Sequence, residues 1–459
     1  TGNIAAQSDI SLKTLHLSTG TTNFTLDGGQ TLTLTEGGLF KSGTGILGGG
    51  LGIASSGATE LIVHLADSTT FTVATQIRES WTGGLAVFHA GIRATAPTLA
   101  LTADNAWSGG TWINNAKLQI GDGGATGSLG LGKVKMAGTN AELIHNKSTH
   151  ETFAEDIEGM GKFTKLGSGS LTFDGTSAAV GMAASGGTLN FRGLDLDATS
   201  LTVSGGTLRI SGSSGSYTTQ AFSTGTGATP STTKFVADAG GVATILVPTA
   251  TLTLQSTQDF LVVDVGRYLG SDDLVLFDYF DSFSPQNFTG ITVLNGAASV
   301  APVVSISPRR EMRVTGIVLN EWQGQSGDSW STAGKWTVSQ TPDSVDAVAL
   351  FRGASDGGVV DLDADRTVRY VRFDNANAYT IDGTGMLTLR HEFDNAEIEV
   401  FQGSHAIDAA ISLQSDLDID VAGATRALRL GGAIGGAGRT IGKTGLGLLE
   451  LSGDSSYTG

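Results

Sequence analysis

Hydrophobic and polar positions alternate with period two through most windows of the chain. Leu413, Leu417, Ile419 and Val421 fall on one side, and Gln414, Asp416, Asp418 and Asp420 on the other. Such alternation is the mark of a strand buried on one face. Leu12, Leu15 and Leu17 sit among polar residues in the same way, and Leu201, Val203, Leu208 and Ile210 flank the pair Gly205-Gly206. Glycines gather at strand ends, where positive φ is needed. No amphipathic helix of more than two turns stands out. The pattern predicts many short strands joined by tight turns.

Two periods run through these strands. Ser185-Gly186-Gly187-Thr188-Leu189 returns as Ser204-Gly205-Gly206-Thr207-Leu208, a step of 19 residues. Phe24-Thr25-Leu26-Asp27-Gly28 returns as Tyr379-Thr380-Ile381-Asp382-Gly383 at an offset of 355. Leu99, Leu101, Asp104, Trp107 and Gly109 return as Leu449, Leu451, Asp454, Tyr457 and Gly459 at an offset of 350. Lys165-x-Gly167-x-Gly169-x-Leu171-x-Phe173-x-Gly175 matches Lys443-x-Gly445-x-Gly447-x-Leu449-x-Leu451-x-Gly453.

A short repeat of this kind suits a β-solenoid. A strand of four or five residues gains backbone partners above and below when stacked on its copies at about 4.8 Å. Its inward side chains then share one continuous core. A rung of about 20 residues implies roughly 20 rungs and a body on the order of 100 Å long. Residues 1–213 read as one such block. Residues 214–321 read as a block-closing β region with a Ser/Thr/Gly loop and an aromatic cluster at Phe277, Tyr279, Phe280, Phe283 and Phe288. Residues 322–459 read as the start of a second block, with Trp322, Trp330 and Trp336 covering its first rungs. The last unit reads as unfinished, so the solenoid is expected to continue.

Composition narrows the functional classes. Of 459 residues 67 are Gly and none is Cys, and 27 basic against 44 acidic residues leave a net charge of −17. Without a basic cluster, nucleic acid is not an expected partner. Absence of Cys rules out a disulfide scaffold and thiolate metal sites. No apolar run of about 18 residues exists, so no membrane-spanning helix is expected.

The repeat motifs together resemble the autotransporter-associated β-strand repeat, also called the passenger-associated transport repeat. Gly159-Met160-Gly161 leads into Lys165 through Gly175, and Gly436-Ala437-Gly438 leads into Lys443 through Tyr457-Thr458-Gly459. Leu99 through Trp107-Ser108-Gly109-Gly110-Thr111 is similar to a third copy, with Trp in place of Tyr. In the copy at Lys165, Ala179 stands where the family has an aromatic residue. The resemblance implies a right-handed parallel β-helix, exported from a bacterium and displayed at its surface.

Candidate chemistry is sparse. Asp361-x-Asp363-x-Asp365 opens like a calcium loop, but Arg366 and Arg372 stand where glycine and glutamate belong. Asp416-x-Asp418-x-Asp420 reads as a solvated strand face. His145 and His150 lie five apart without a third ligand. The Gly-x-Gly runs precede no helix and are not phosphate loops. Asp272-Asp273 reads as a turn, and Arg309-Arg310 as a surface turn. No catalytic residue, cofactor or metal is expected.

The expected function is a non-enzymatic extracellular structural repeat protein, an elongated stalk or fibre at a bacterial surface with a capacity for adhesion. Its expected partners are copies of itself, or surface glycans and other cells. Trp107, Trp112 and Tyr279 are the candidate glycan or partner contacts. Trp107 and Trp112 also admit packing between rungs, which is the favoured reading for both. The alternatives are a polysaccharide-degrading lyase or hydrolase on a β-helix, or a glycan-binding adhesin module.

Overall fold

The computed structural model describes residues 4–459 apart from 7, 19, 90–95, 193–195, 213–215, 225–229, 248–251, 254–258, 281–289, 307–308 and 354–355. Phe283 and Phe288 lie outside the described residues. The fold is all-β: parallel strands stack as a β-solenoid of about 17 turns with about 23 residues each. Among the described residues the one helical element is a single 3-10 turn, Ala333–Lys335. Turns are a little longer and fewer than the 19-residue echo suggests: Thr70 and Thr98, side by side in adjacent rungs, are 28 residues apart.

The register follows the repeats residue by residue. Thr188 lies beside Thr207 and Leu189 beside Leu208 in adjacent rungs. The turn before them has no room for a side chain: a Cβ on Gly186 would lie 1.7 Å from the Leu166 carbonyl oxygen of the rung below. Inward positions form columns. One runs Phe24, Leu47, Val73, Leu101, Ile120, His145, Lys165, Ala184, Val203 and Thr224, each beside the next.

This first coil runs on past residue 213. Ser231–Val236 and Asp259–Asp264 add rungs, and Gly290–Leu294 stacks on the latter. The Ser/Thr-rich stretch therefore belongs in part to the coil. Thr219, Thr224 and Thr233 are buried at inward or rim positions, where small hydroxyl side chains replace the usual aliphatics. Closure comes later. Gly296–Ile306 and Arg309–Leu319 form an antiparallel hairpin, and Leu274–Phe280 also pairs antiparallel with the second of these. Met312 and Val314 reach the core from this hairpin, which covers the open end of the stack. Arg309 and Arg310 thus lie in a strand rather than in a surface turn.

A second coil begins at Asp328–Ser329 and has three parallel sheets of six, five and four strands. Its first rungs are covered by the expected tryptophans. Trp336 lies with its ring centroid 5.1 Å from both Trp322 and Trp330, and all three pack on Phe351. The two coils do not form one straight stack. Asp264 and Lys234, late in the first coil, meet Arg369 and Asp346 at the start of the second. The following loop of the second coil reaches back to Ser170 and Arg192. The chain therefore doubles back and lays one coil along the flank of the other.

The motif lysines have a structural task. Lys165 is fully buried, and its Nζ donates to the carbonyl of Gly167, two residues along its own turn. Lys443 makes the same contact with Gly445 O at 2.8 Å, in the open at the last rung. Burial lowers the Lys165 ammonium to about 8, against a partial pull upward from Glu151. The unfolded chain keeps that proton up to 10.5, so folding stability rises as pH climbs from about 8 to 10.5. Lys165→Met removes this rise and leaves the thermal midpoint unchanged or higher, since a buried cation exchanged for an apolar chain of similar length sheds its desolvation cost. Thermal unfolding of both proteins at pH 7, 9 and 10.5 checks this; a midpoint that drops on substitution refutes it.

Candidate functional site

A row of rings runs up the outer face of the first coil. His16, Phe40, His64, Phe88 and Trp112 follow each other at a constant step of 24 residues. Strand alternation turns each of them outward, because their neighbours Leu15, Leu39, Val63, Val87 and Ile113 point into the core. His16, Phe40, His64 and Phe88 share one column in consecutive rungs. Phe40 meets His16 edge to face at 4.5 Å and His64 at 4.9 Å between centroids. Trp112 stands one column over, beside Ala86, with its ring 6.4 Å from Phe88. That second column reads Thr14, Gly38, Ile62, Ala86, Trp112. Trp112 is 49 % exposed and Ile62 41 %, with the small Ala86 buried between them.

The three ring positions singled out from sequence part company. Trp112 is on the surface, in this row. Trp107 is buried, its Nε1 donating to Gly110 O at 2.9 Å, and Tyr279 is buried where the first coil closes. Neither can present a ring to a glycan. Trp107 precedes a Gly-Gly turn that folds its indole inward, and Tyr279 alternates with outward Asp278. Packing, the favoured reading for both tryptophans, describes Trp107 and not Trp112.

A second feature is the seam between the coils. Asp264, fully buried, accepts from Arg369 Nη2 at 2.9 Å and from Asn295 Nδ2 at 2.8 Å. Asn295, at φ 59°, also bonds Asp346 O and the Val348 N–H. Lys234 pairs with Asp346 at 2.7 Å and Arg267 with Glu397 at 2.8 Å. The loop 391–395 wedges into the same seam. Glu392 accepts from Ser170, Asp394 from Arg192, and Phe393 lies 4.4 Å under the Arg209 guanidinium. His391 Nδ1 accepts from the backbone N–H groups of Phe393 and Asp394, at 3.0 and 2.8 Å. Burial, then the nearby Arg369 and Arg209 cations, push that imidazole down to about 3, so it is a neutral acceptor at ordinary pH. Beside the loop opens a polar cleft of about 830 Å³ that includes His150, Arg390, Asp416 and Arg439. Its acids Glu392 and Asp394 serve the seam.

No protein-family model, curated protein or solved structure matches the chain.

The remaining sequence candidates are explained by neighbouring rungs. Asp363 accepts from Ser331 and Asp365 from the Met386 N–H. Asp416, Asp418 and Asp420 accept from Thr440, Asn395 and Thr444. No group of three or more potential ligands for a metal occurs among the described residues. His145 is buried within the coil, its Nε2 3.3 Å from Glu151, whereas His150 faces the cleft. Burial opposes charge on Glu151, but bonds from His145, Thr149 and Lys147 outweigh it and hold the carboxyl at about 2. Two further signals lie in the sequence: the 24-residue step of the rings, and a further Lys-x-Gly-x-Gly at Lys41, Gly43 and Gly45. Lys41 is buried and donates to the carbonyls of Gly20 and Ser42.

Proposed function

We propose that the chain is a non-enzymatic structural repeat segment, displayed outside a bacterial cell, that carries an adhesive face for glycans. The observation that supports adhesion best is the outward ring row on the first coil. Rung stacking supports the structural half of the reading, since each rung is held by backbone bonds to two neighbours. The repeat motifs, similar to those of autotransporter passengers, support export and display. Gold-labelled antibody on source cells tests the placement: label on rods or filaments outside the envelope agrees, and label confined to the cytoplasm refutes it.

The polar cleft favours one second reading, a polysaccharide-degrading enzyme. Release of new reducing ends from a panel of polysaccharides, proportional to protein added, supports that reading; none over a day at several pH values dismisses it.

A further inference from the structure

We propose that the ring row binds a neutral, extended polysaccharide laid parallel to the coil axis, about one sugar to a rung. The proposal rests on the adhesive reading above and specifies its ligand class. Rungs repeat every ~4.8 Å, so the four steps from His16 to Trp112 cover about 19 Å. That spacing is close to the length of one pyranose in an extended chain, and a strip this long faces several sugars in succession.

The chemistry of the strip is uncharged carbon with scattered hydrogen-bonding groups. Aromatic faces take the C–H face of a sugar ring and exclude water from it. The imidazole of His16 and the side chains of Thr14 and Asn114, which share the two columns, can meet hydroxyls. Neither column holds a carboxylate or an ammonium until Lys135, which follows Trp112 and is paired with Glu158 at 3.4 Å. At the other end, Lys13 is paired with Glu36 at 2.8 Å. The whole chain carries −17, which disfavours a polyanion. A neutral chain meets no such penalty.

A second copy of this protein fits the strip less well. One or two side chains in width over about 19 Å falls far short of the roughly 800 Å² per partner that a stable protein interface covers. Two copies would also bring like charge together.

The test is affinity electrophoresis and calorimetry of the whole chain with a soluble neutral β-glucan, its oligosaccharides of two to six sugars, and alginate as the anionic comparison. Trp112→Ala and Phe40→Ala are compared with the native chain, with unfolding curves as the check on folding. Expected are binding to the neutral chain, affinity that climbs with length to about five sugars, and a loss of about ten-fold or more for Trp112→Ala at an unchanged unfolding midpoint. A preference for alginate that still depends on Trp112 overturns the neutral class and leaves the adhesive reading standing. Binding to none of the glycans overturns both. A dimer, seen by ultracentrifugation and abolished by Trp112→Ala, overturns the proposal in favour of self-contact.

Discussion

Asp264→Ala lowers the stability of the paired coils by about 3–5 kcal/mol, the cost of removing one member of a buried ion pair. Arg369, 3 % exposed, is then left beside Arg209, with Asp346, itself paired with Lys234, to offset it. Asn295 also loses its acceptor at 2.8 Å, and with it part of the tie to Val348 at the start of the five-stranded sheet of the second coil. Urea unfolding is expected to shift to a lower midpoint and to split, with the second coil leaving first. Limited proteolysis should then cut in the 391–395 loop, which lies in the seam. Replacing both Asp264 and Arg369 by leucine recovers most of the loss, because an apolar pair of similar volume avoids the desolvation cost. A single variant that unfolds like the native chain removes the seam from the account of stability.

The second large effect is expected at the tryptophan cap. Trp330→Ala costs about 3–5 kcal/mol, the range for truncating a large buried aromatic. Trp330 is fully buried, donates from Nε1 to Pro342 O at 3.0 Å, and offers its own carbonyl to Trp336 Nε1 at 3.0 Å. Truncation therefore opens a cavity and loosens two other members of the cluster. The physical stake is the open end of a stack, where rung edges and apolar columns lie bare without a lid. The near-ultraviolet dichroism of the clustered indoles should fall together with the thermal midpoint. A loss below about 1 kcal/mol, far under the cavity range, would show that the second coil holds its first rung without the lid.

How legible these features were depended on whether they repeat. The register of Thr188-Leu189 on Thr207-Leu208 could be read because both the residues and the glycine turn recur. The tryptophan cap could be read because three large aromatics crowd before a run of strands. The ring row left an equally regular trace, but His and Phe alternate in it, so a search for identical residues passes over it. The end of the first coil was misplaced because threonine reads as loop in composition, while inside a narrow coil Thr233 fills an inward position. The seam left no trace at all. Asp264 and Arg369 are single charges 105 residues apart, and nothing periodic marks them as partners. Side-by-side packing of two coils is a long-range choice made by a handful of unique side chains, whereas the coil is made by its period.

The lysine turns carry a chemical consequence of their own. An amine acylates only as the free base, and of the motif lysines Lys165 has been moved closest to that state, while the rung above it shields it from any reagent. Lys443, at the last rung, is exposed. Each transient unzipping at the Lys165 rung returns that amine to water and to its ordinary basicity, so a reagent meets it only in the open state. Covalent tagging of that one residue would count such openings one molecule at a time, long before the protein as a whole lost its shape.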